Sequence, residues 1–549
     1  MGKVELIISG KPMVFEDAVT LEDVAKAMQP KLPYLAAIYD NTVVDLYTPV
    51  QDGMELSFVD YSHEEGKRVY VRALSFLFTL AMKKLYAESD VLIDHSLGDA
   101  LYCQLVGTPF LGRDDYRKIQ RSMREMIDEN QPFLPVVMHK EEAAEYFLKN
   151  NRPLAAANMQ SSAKEIVTLY ENDGRKDCYY GPLLPHAGYI QHFALQNFFP
   201  GIVLQYPTFV DGEMRMQFNP HPLRAAAFFE AEMQSDFLGI SYVPMLNKKV
   251  DSGSVREVIR ICEITHEQKL TLMAKEIMDQ GKQLILVAGP SSSGKTTSAN
   301  RLYSHLMALG KRPVILSMDN FFKDRPEIEL DEFGKRDVEN VTALDHDLFA
   351  ESLNKLLYNE IVEIPKFDFV HGKKKWKGNF LQVGKGEPII VEGIHALNPM
   401  LTDTISDQYK YRVFANPLIP LNLDCHNRFP TSDLRLLRRM VRDYKFRGHK
   451  AEGTLDMWYG VLRGERKYIF PFQETADVVF NTSLIYEPAL LKIYAYPLLQ
   501  EIVDGEYGYE VRRLLRLLDC VQEADPELEQ DVPPTSLLRE FIGGSTFYN

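Results

Sequence analysis

The segment LILVAGPSSSGKTT, residues 284–297, carries the strongest indication of fold and function in the chain. Residues 289–296 fit the phosphate-loop pattern G-x-x-x-x-G-K-[ST]. An apolar strand pattern precedes the loop, and a helical pattern over 297–309 follows it. Backbone N–H groups in such a loop point at phosphates from a helix N-terminus, where the helix dipole favours negative charge. The sequence therefore predicts a nucleotide-binding loop.

The loop supplies the first candidate site residues. Lys295 is expected to reach the β- and γ-phosphates and to be catalytic, and the Thr296 hydroxyl is expected to hold Mg²⁺. Nine consecutive residues are predicted to bind ATP: Gly289, Pro290, Ser291, Ser292, Ser293, Gly294, Lys295, Thr296 and Thr297.

Short apolar segments alternate with amphipathic helical patterns through the C-terminal half. This alternation predicts an α/β unit with a parallel sheet and helices on both faces. The expected strands are 284–289, 313–319, 363–369, 387–393 and 411–415.

Two carboxylates end strands of this predicted sheet. Asp319 ends 313–319, and Glu392 lies at the end of 387–393. Ligands of open α/β sheets bind outside the carboxyl ends of the strands. Phosphoryl transfer uses one carboxylate to accept the proton of the attacking hydroxyl and others to position Mg²⁺. Asp319 is predicted to take the first role and Glu392 the second; the alternatives are an N-cap for Asp319 and a surface acid for Glu392.

A helical pattern over 433–447 is unusually rich in arginine. Its apolar positions predict one buried stripe: Leu434, Leu437, Val441 and Tyr444. Its basic positions lie on the next face: Arg435, Arg438 and Arg442, with Arg439 alongside. This face suits a lid that neutralises triphosphate charge. A solvated basic face stabilised by i,i+4 pairs is the alternative.

The N-terminal half has a different pattern. Residues 1–61 are expected to form short strands around one helix, and 62–225 an α+β domain with helices near 70–86 and 114–129. Residues 226–280 are expected to be a linker that ends in a helix near 265–280, and 281–549 form the α/β unit. The protein is thus predicted to be multidomain.

Composition sets the broad class. The chain has 549 residues, 45% of them hydrophobic, and a formal net charge of −15, which fits a soluble globular protein and disfavours nonspecific nucleic-acid binding through overall charge. The longest apolar run, 73–82, has about half of the ~20 residues that a membrane span needs. Without a signal-peptide pattern, and with five scattered cysteines, the sequence predicts a cytoplasmic protein with reduced thiols and no membrane partner.

Six motifs in the C-terminal half resemble the uridine kinase/phosphoribulokinase family. They are GPSSSGKTT, SMDNFFKDR, IPKFDFVHG, IIVEGIHALNP, RRMVRDYKFRG and ADVVFN, and the similarity spans about residues 283–497. The resemblance implies a phosphate-loop α/β fold. It also implies Mg²⁺-dependent transfer of the γ-phosphate of ATP or GTP to the 5′-hydroxyl of a nucleoside.

The same resemblance implies residue roles. Asp319 falls on the family's catalytic base, Lys295 and Thr296 on the loop lysine and metal hydroxyl, and Glu392 on the acid that supports the metal. Arg442 is implied to be catalytic. The implied substrate-binding residues are Glu339, Phe322, Phe367, Phe369, Arg439 and Arg447. Phe367, Gly372 and His449 replace a Tyr, a His and an Arg of uridine kinases, and these differences concern base recognition.

The N-terminal half resembles parts of threonyl-tRNA synthetases. Residues 1–61 resemble the small β-grasp (TGS) module, and 62–225 resemble the editing domain through KKLY, NQPF and DCYYGPLLPHAG. Editing domains use a His-x-x-x-His pair and a later Cys and His. Those positions fall here on Arg72 and Phe76, and on Tyr179 and Leu183, so the resemblance implies that editing chemistry is absent.

Three functional interpretations remain open from the sequence. The first is a nucleoside kinase. The second is a kinase for another hydroxyl or a sugar phosphate, which the basic run Lys373–Lys375 keeps open. The third is an RNA-binding regulator acting through the N-terminal half. RNA or an amino acid is a candidate effector of that half, and a homo-oligomer is compatible with the sequence.

Overall fold

A computed structural model describes residues 3–16, 19–107, 111–210, 212–331, 334–368 and 371–547. Among these residues, no helix is both long enough and apolar enough to cross a membrane.

The N-terminal part is a five-stranded mixed sheet with one helix. Its order is β2-β1-β5-β3-β4, in which only β1 and β5 pair in parallel. The helix begins at a capping box in which Thr20 and Asp23 satisfy each other's backbone N–H groups. The elements are β1 (Lys3–Ile8), β2 (Lys11–Glu16), α1 (Leu21–Ala27), β3 (Ala36–Tyr39), β4 (Thr42–Val44) and β5 (Glu55–Val59).

The middle part combines helices with two antiparallel sheets, of order β10-β9-β8 and β11-β12-β7-β6, and a β13-β14 hairpin. Its first helix begins at Glu64, earlier than the sequence predicts, because the His63 ring caps it by accepting from the N–H of Glu65 at 3.1 Å. The elements are α2 (Glu64–Leu85), β6 (Asp90–Ser96), β7 (Ala100–Val106), α3 (Arg113–Asp128), β8 (Leu134–His139), α4 (Lys140–Lys149), α5 (Pro153–Ser161), β9 (Ile166–Asn172), β10 (Arg175–Asp177), β11 (Ala194–Phe198), β12 (Gly201–Gln205), β13 (Thr208–Val210) and β14 (Glu213–Arg215).

Three helices follow where the sequence suggests a linker: α6 (Pro222–Phe237), α7 (Val243–Asp251) and α8 (Val255–Asp279). The last helix extends ten residues further towards the N-terminus than its expected start, because Val258, Ile259 and Cys262 continue its buried face. The N-terminal part of α8 and helix α7 share a hydrophobic core with the C-terminal helices.

The C-terminal part contains a five-stranded parallel sheet of order β16-β21-β15-β22-β23. Its elements are β15 (Leu284–Ala288), α9 (Lys295–Ala308), β16 (Val314–Ser317), α10 (His346–Leu357), β17 (Val362–Glu363), β18 (Lys366–Asp368), β19 (Lys373–Lys375), β20 (Phe380–Leu381), β21 (Ile389–Glu392), β22 (Lys410–Asn416), α11 (Thr431–Phe446), α12 (Ala451–Tyr468), β23 (Val478–Asn481), α13 (Glu487–Gln500), α14 (Gly508–Asp519) and α15 (Arg539–Ile542).

Side chains of the central strand β15 alternate between the two faces of this sheet. Leu284 and Leu286 pack in a core with α10, and Ile285 and Val287 pack in a second core with α8 and α9. The predicted α/β unit with helices on both faces is therefore confirmed.

The predicted sheet strand over 363–369 is wrong. Pro365 interrupts the segment, and β17 and β18 pair instead with β20 and β19 in two small antiparallel ribbons. The fifth strand of the parallel sheet is β23, which pairs with β22.

Candidate active site

The phosphate loop joins β15 to α9 at the carboxyl edge of the parallel sheet. Gly294 caps α9 with a φ of 80°, and a Cβ there would lie 2.7 Å from the Leu537 side chain. A Cβ on Gly289 would collide with the carbonyl oxygen of Ala415. Both positions therefore require glycine, for close approach of the backbone to its neighbours.

Two arginines of α11 anchor the phosphate loop through buried ion pairs. Arg435 donates to Glu465 at 2.6 and 2.7 Å, and Glu465 also accepts from the N–H of Ser291 at 2.8 Å. Arg438 donates to Glu487 at 2.7 and 2.8 Å. Both arginines are almost fully buried. They fix the loop from within, so the expectation that they face the phosphates is wrong. No local sequence pattern indicates their acidic partners, which lie far along the chain.

Three other arginines lie where α11 meets the loop, and they share one buried carboxylate, Asp443. Arg439 donates to the Ser291 hydroxyl at 2.8 Å. Arg442 donates to Asp443 at 3.0 Å, and Arg447 lies 3.7 Å from the same carboxylate. Burial and the neighbouring Arg442 lower the pKa of Arg447 to about 10. The cluster therefore has an excess of positive charge that an anionic ligand would relieve.

The stripe predicted for α11 holds only in part. Leu434, Leu437 and Val441 are buried, but Tyr444 is 52% exposed. The helix thus turns its last apolar position outwards.

The strand-end carboxylates meet the loop lysine in one cleft. Glu392 accepts from the Thr296 hydroxyl at 3.2 Å and from the Ser317 hydroxyl at 2.5 Å. Burial and the nearby charge of Asp319 raise the pKa of Glu392 to about 7. Burial lowers the pKa of Lys295, against the attraction of Glu392 and Asp319. Hydroxyl and carboxylate oxygens of this kind are the ligands that Mg²⁺ prefers, so these residues fit the metal that the sequence predicts.

Glu339 borders the same cleft. Its side chain packs where Gly464 of α12 leaves room for it. Its Oε2 atom is buried and has no hydrogen-bond partner among the residues that the structure describes. Burial and the charge of Glu465 raise the pKa of Glu339 to about 7, against Arg439 and Lys295. An orphaned carboxylate oxygen here is suited to accept hydrogen bonds from hydroxyl groups of a ligand.

The predicted aromatic residues are only partly described. The rings of Phe322 and Phe367 lie 5.7 Å apart and are largely buried. Phe369 lies outside the described residues. Of the basic run, Lys374 pairs with Asp345 and Lys375 with Asp368.

A residue that the sequence did not indicate also reaches the loop. Glu540 of α15 accepts from the Thr297 hydroxyl at 2.6 Å, and its charge acts on Lys295. No local motif marks Glu540, because its partner lies 243 residues earlier in the chain.

Comparison with known proteins assigns the C-terminal part to a family. The profile of the Phosphoribulokinase / Uridine kinase family matches residues 284–484. The uridine kinase of Geobacillus kaustophilus is 30% identical over 199 residues, covering 36% of this chain and 84% of that protein. The chain belongs to the uridine kinase/phosphoribulokinase family. As a member of it, the protein is an ATP-dependent kinase.

Other known proteins are similar to a part of this chain. The uridine kinase of Staphylococcus haemolyticus is 28% identical over 197 residues, covering 36% of this chain and 86% of that protein. A solved structure of a possible uridine kinase from Bacillus stearothermophilus is 17% identical, with a TM-score of 0.28, over 39% of this chain and 98% of that one. The D-glycerate 3-kinase of Cryptococcus neoformans is 13% identical, with a TM-score of 0.21, over 46% and 87%.

Proposed function

We propose that the protein transfers the γ-phosphate of ATP to the 5′-hydroxyl of a nucleoside. The observation that carries the proposal is the convergence of Lys295, Asp319, Glu392 and Glu339 on one cleft beside the phosphate loop. The matched relatives named uridine kinase support a nucleoside as the acceptor.

Each residue has a chemical role in this proposal. The loop N–H groups and Lys295 hold the β- and γ-phosphates. Asp319 accepts the proton of the attacking hydroxyl, and Glu339 accepts hydrogen bonds from the ribose hydroxyls. Arg439, Arg442 and Arg447 neutralise the charge that develops on the transferred group. Positioning and charge stabilisation supply most of the rate in this type of reaction.

Thr296 and Glu392 would hold Mg²⁺. When bound, the metal neutralises charge on the β- and γ-phosphate oxygens. The neighbouring Ser317 orients Glu392 through its hydroxyl.

The apolar pair Phe322 and Phe367 offers a wall for the base of a nucleoside. For an anionic sugar-phosphate acceptor, extra unpaired cations would be needed. Lys374 and Lys375 both have carboxylate partners, so this basic run gives that alternative little support.

For the N-terminal half, we propose a regulatory role without editing chemistry. The rings of Phe76 and Tyr179 lie 5.8 Å apart, at positions where the resembled editing domain has polar ligands. We also propose that RNA or an amino acid is the effector of this half.

An acceptor panel tests the proposed function. Purified protein with Mg-ATP is offered uridine, 5′-deoxyuridine and ribulose 5-phosphate, and ADP formation is measured. We expect turnover with uridine and none with 5′-deoxyuridine, which lacks the attacking hydroxyl. Glu339→Gln should raise the KM for uridine by about tenfold with little change in ATP binding. Turnover with ribulose 5-phosphate alone would overturn the nucleoside assignment.

A further inference from the structure

A cavity of about 280 Å³ lies where the three parts of the chain meet. The β-grasp-like part contributes Asp45, the middle part contributes Asn158 and Lys164, and helix α14 contributes Arg516 and Asp519. Its position is remote from the phosphate loop in the sequence, and no residue of the kinase cleft lines it.

Two cations line this cavity and a third lies next to its lining residue Gly181, and none of the three forms an ion pair with a described carboxylate. Lys164 and Arg516 line it directly. Arg72 lies behind the wall, because a Cβ on Gly181 would be 2.6 Å from its guanidinium carbon. None of the three cations forms an ion pair with any residue that the structure describes; Arg72 and Arg516 each donate to a backbone carbonyl at 3.2 Å. Lys164 is exposed, and Arg72 and Arg516 are half-buried. Positive charge without an ion-pair partner therefore gathers at this site, which favours an anion.

The electrostatics agree with that geometry. Burial lowers the pKa of Arg72 to about 10. Burial and neighbouring arginines lower the pKa of Lys164 and of Arg516. The charge of Glu65 opposes this lowering of the pKa at Arg516 and at Arg72. A bound anion would reverse these shifts, since an opposite charge favours the protonated form of a base.

The two acidic residues of the lining do not neutralise the cations. Asp45 accepts from the Tyr170 hydroxyl at 3.1 Å, and burial raises its pKa, which favours its neutral form. Asp519 accepts from the Tyr496 hydroxyl at 2.8 Å. Its charge raises the pKa of Lys164 and of Arg516, but this effect is smaller than the lowering by burial and neighbouring arginines.

Unpartnered polar atoms complete the site. Among the described residues, Arg72 Nη2 and Asn158 Oδ1 are buried without a hydrogen-bond partner, and Asn158 is only 1% exposed. The amide oxygen of Asn158, which lines the cavity, needs a donor such as a hydroxyl group. We propose that this cavity binds a small phosphate ester that carries hydroxyl groups.

A ligand bound in the cavity would influence the kinase cleft through α14. Arg513, one turn before Arg516, donates to Asp433 of α11 at 2.9 Å. Helix α11 carries the arginines that contact the phosphate loop. A ligand held by Arg516 would therefore contact the helix whose Arg513 pairs with α11.

Calorimetric titration of the full-length protein with ribose 5-phosphate and with inorganic phosphate tests the proposal. We expect saturable binding that Lys164→Gln and Arg516→Gln each weaken by about tenfold or more. Lys164 is exposed, so its variant is expected to fold. Lys248→Gln, at an exposed lysine of α7, is the matched control and should bind as the wild type does.

Lys295→Ala separates this site from the phosphate loop. We expect it to abolish phosphoryl transfer and to leave ribose 5-phosphate binding unchanged. Binding that is lost in Lys295→Ala but kept in Lys164→Gln and Arg516→Gln would overturn the proposal, as would no binding at all. Tighter binding of acetate than of inorganic phosphate would overturn the phosphate assignment in favour of a carboxylate.

Discussion

Two carboxyl groups of the cleft are buried where their ionised form is unfavourable. The pKa values of Glu392 and Glu339 rise to about 7, chiefly because both are buried. The folded-state pKa lies above the ordinary value, so ionisation costs folded-state stability as the pH rises from about 4.5 to about 7. The ionised carboxylates of the cleft thus lower the stability of the folded state, and this is the form that binds a cationic ligand.

Binding of Mg-ATP should release protons near pH 7. Both carboxyls are partly protonated there, and a metal at Glu392 favours the deprotonated form. Calorimetry in two buffers with different ionisation enthalpies measures the number of protons released. We expect fewer from Glu392→Gln; an identical count in wild type and variant would contradict the assignment.

Glu392→Gln should also raise the free energy of unfolding at pH 8, because the variant cannot carry the buried charge. The difference from wild type should shrink towards pH 5, where the native carboxyl is largely protonated. Denaturant titrations at the two pH values measure this. A variant that is less stable than wild type at pH 8 would argue against the raised pKa.

The sequence predicted most of these residues but not their surroundings. Lys295, Asp319 and Glu392 were found because phosphate-loop spacing and strand ends are local patterns. Glu465 was missed, because its role depends on how α11 and α12 pack. Asp443 was missed although it lies in α11 itself, four residues from both Arg439 and Arg447.

Helix α11 illustrates how periodicity can mislead. Its arginine face is predicted from the sequence to meet a triphosphate, yet Arg435 and Arg438 are buried against acids that lie 30 and 49 residues further along the chain. Helical periodicity identifies which residues share a face, but it cannot identify what that face meets.

The buried Arg438–Glu487 pair should be important for stability. Glu487→Ala leaves the guanidinium uncompensated, which typically costs about 3–5 kcal/mol. Chemical denaturation measures the loss. Glu351→Ala, which breaks the exposed Lys355–Glu351 pair of α10, is the control and should change stability little. Equal effects of the two substitutions would refute the structural role of the buried pair.

Helix α15 places a negative charge against the phosphate loop. Glu540 binds the Thr297 hydroxyl and lies near Lys295, so it should oppose the triphosphate. We expect Glu540→Gln to tighten ATP binding by several-fold, which corresponds to about 1 kcal/mol of relieved repulsion. Glu527→Gln, at an exposed acid of the same C-terminal segment, serves as the control. Weaker ATP binding in Glu540→Gln would contradict this view.

The N-terminal half and the kinase part are joined by a buried charge network. Arg68 of α2 donates to Glu510 of α14 at 2.7 Å. Glu510 also accepts from Arg513 at 2.6 Å, and Arg513 binds Asp433 of α11. No sequence pattern indicates this network, because Arg68 and Glu510 are 442 residues apart.

This network predicts acid sensitivity of the whole molecule. Despite the burial of Glu510, Arg513 and Arg68 hold its pKa well below its usual range. A lowered folded-state pKa contributes stability above about pH 4.5 that is lost as the pH falls towards the folded-state value. Glu510→Gln should therefore destabilise the protein at pH 7 more than at pH 4, as measured by thermal unfolding. An equal loss at both pH values would exclude this electrostatic contribution.

The proposed phosphoryl transfer depends most on Asp319 as the group that accepts the proton of the nucleoside hydroxyl. Its most direct test compares kcat with uridine and the Kd for ATP in wild type and Asp319→Asn. We expect kcat to fall by about 10²–10⁴-fold while the Kd for ATP stays nearly the same. Unchanged turnover in Asp319→Asn would contradict the proposed mechanism.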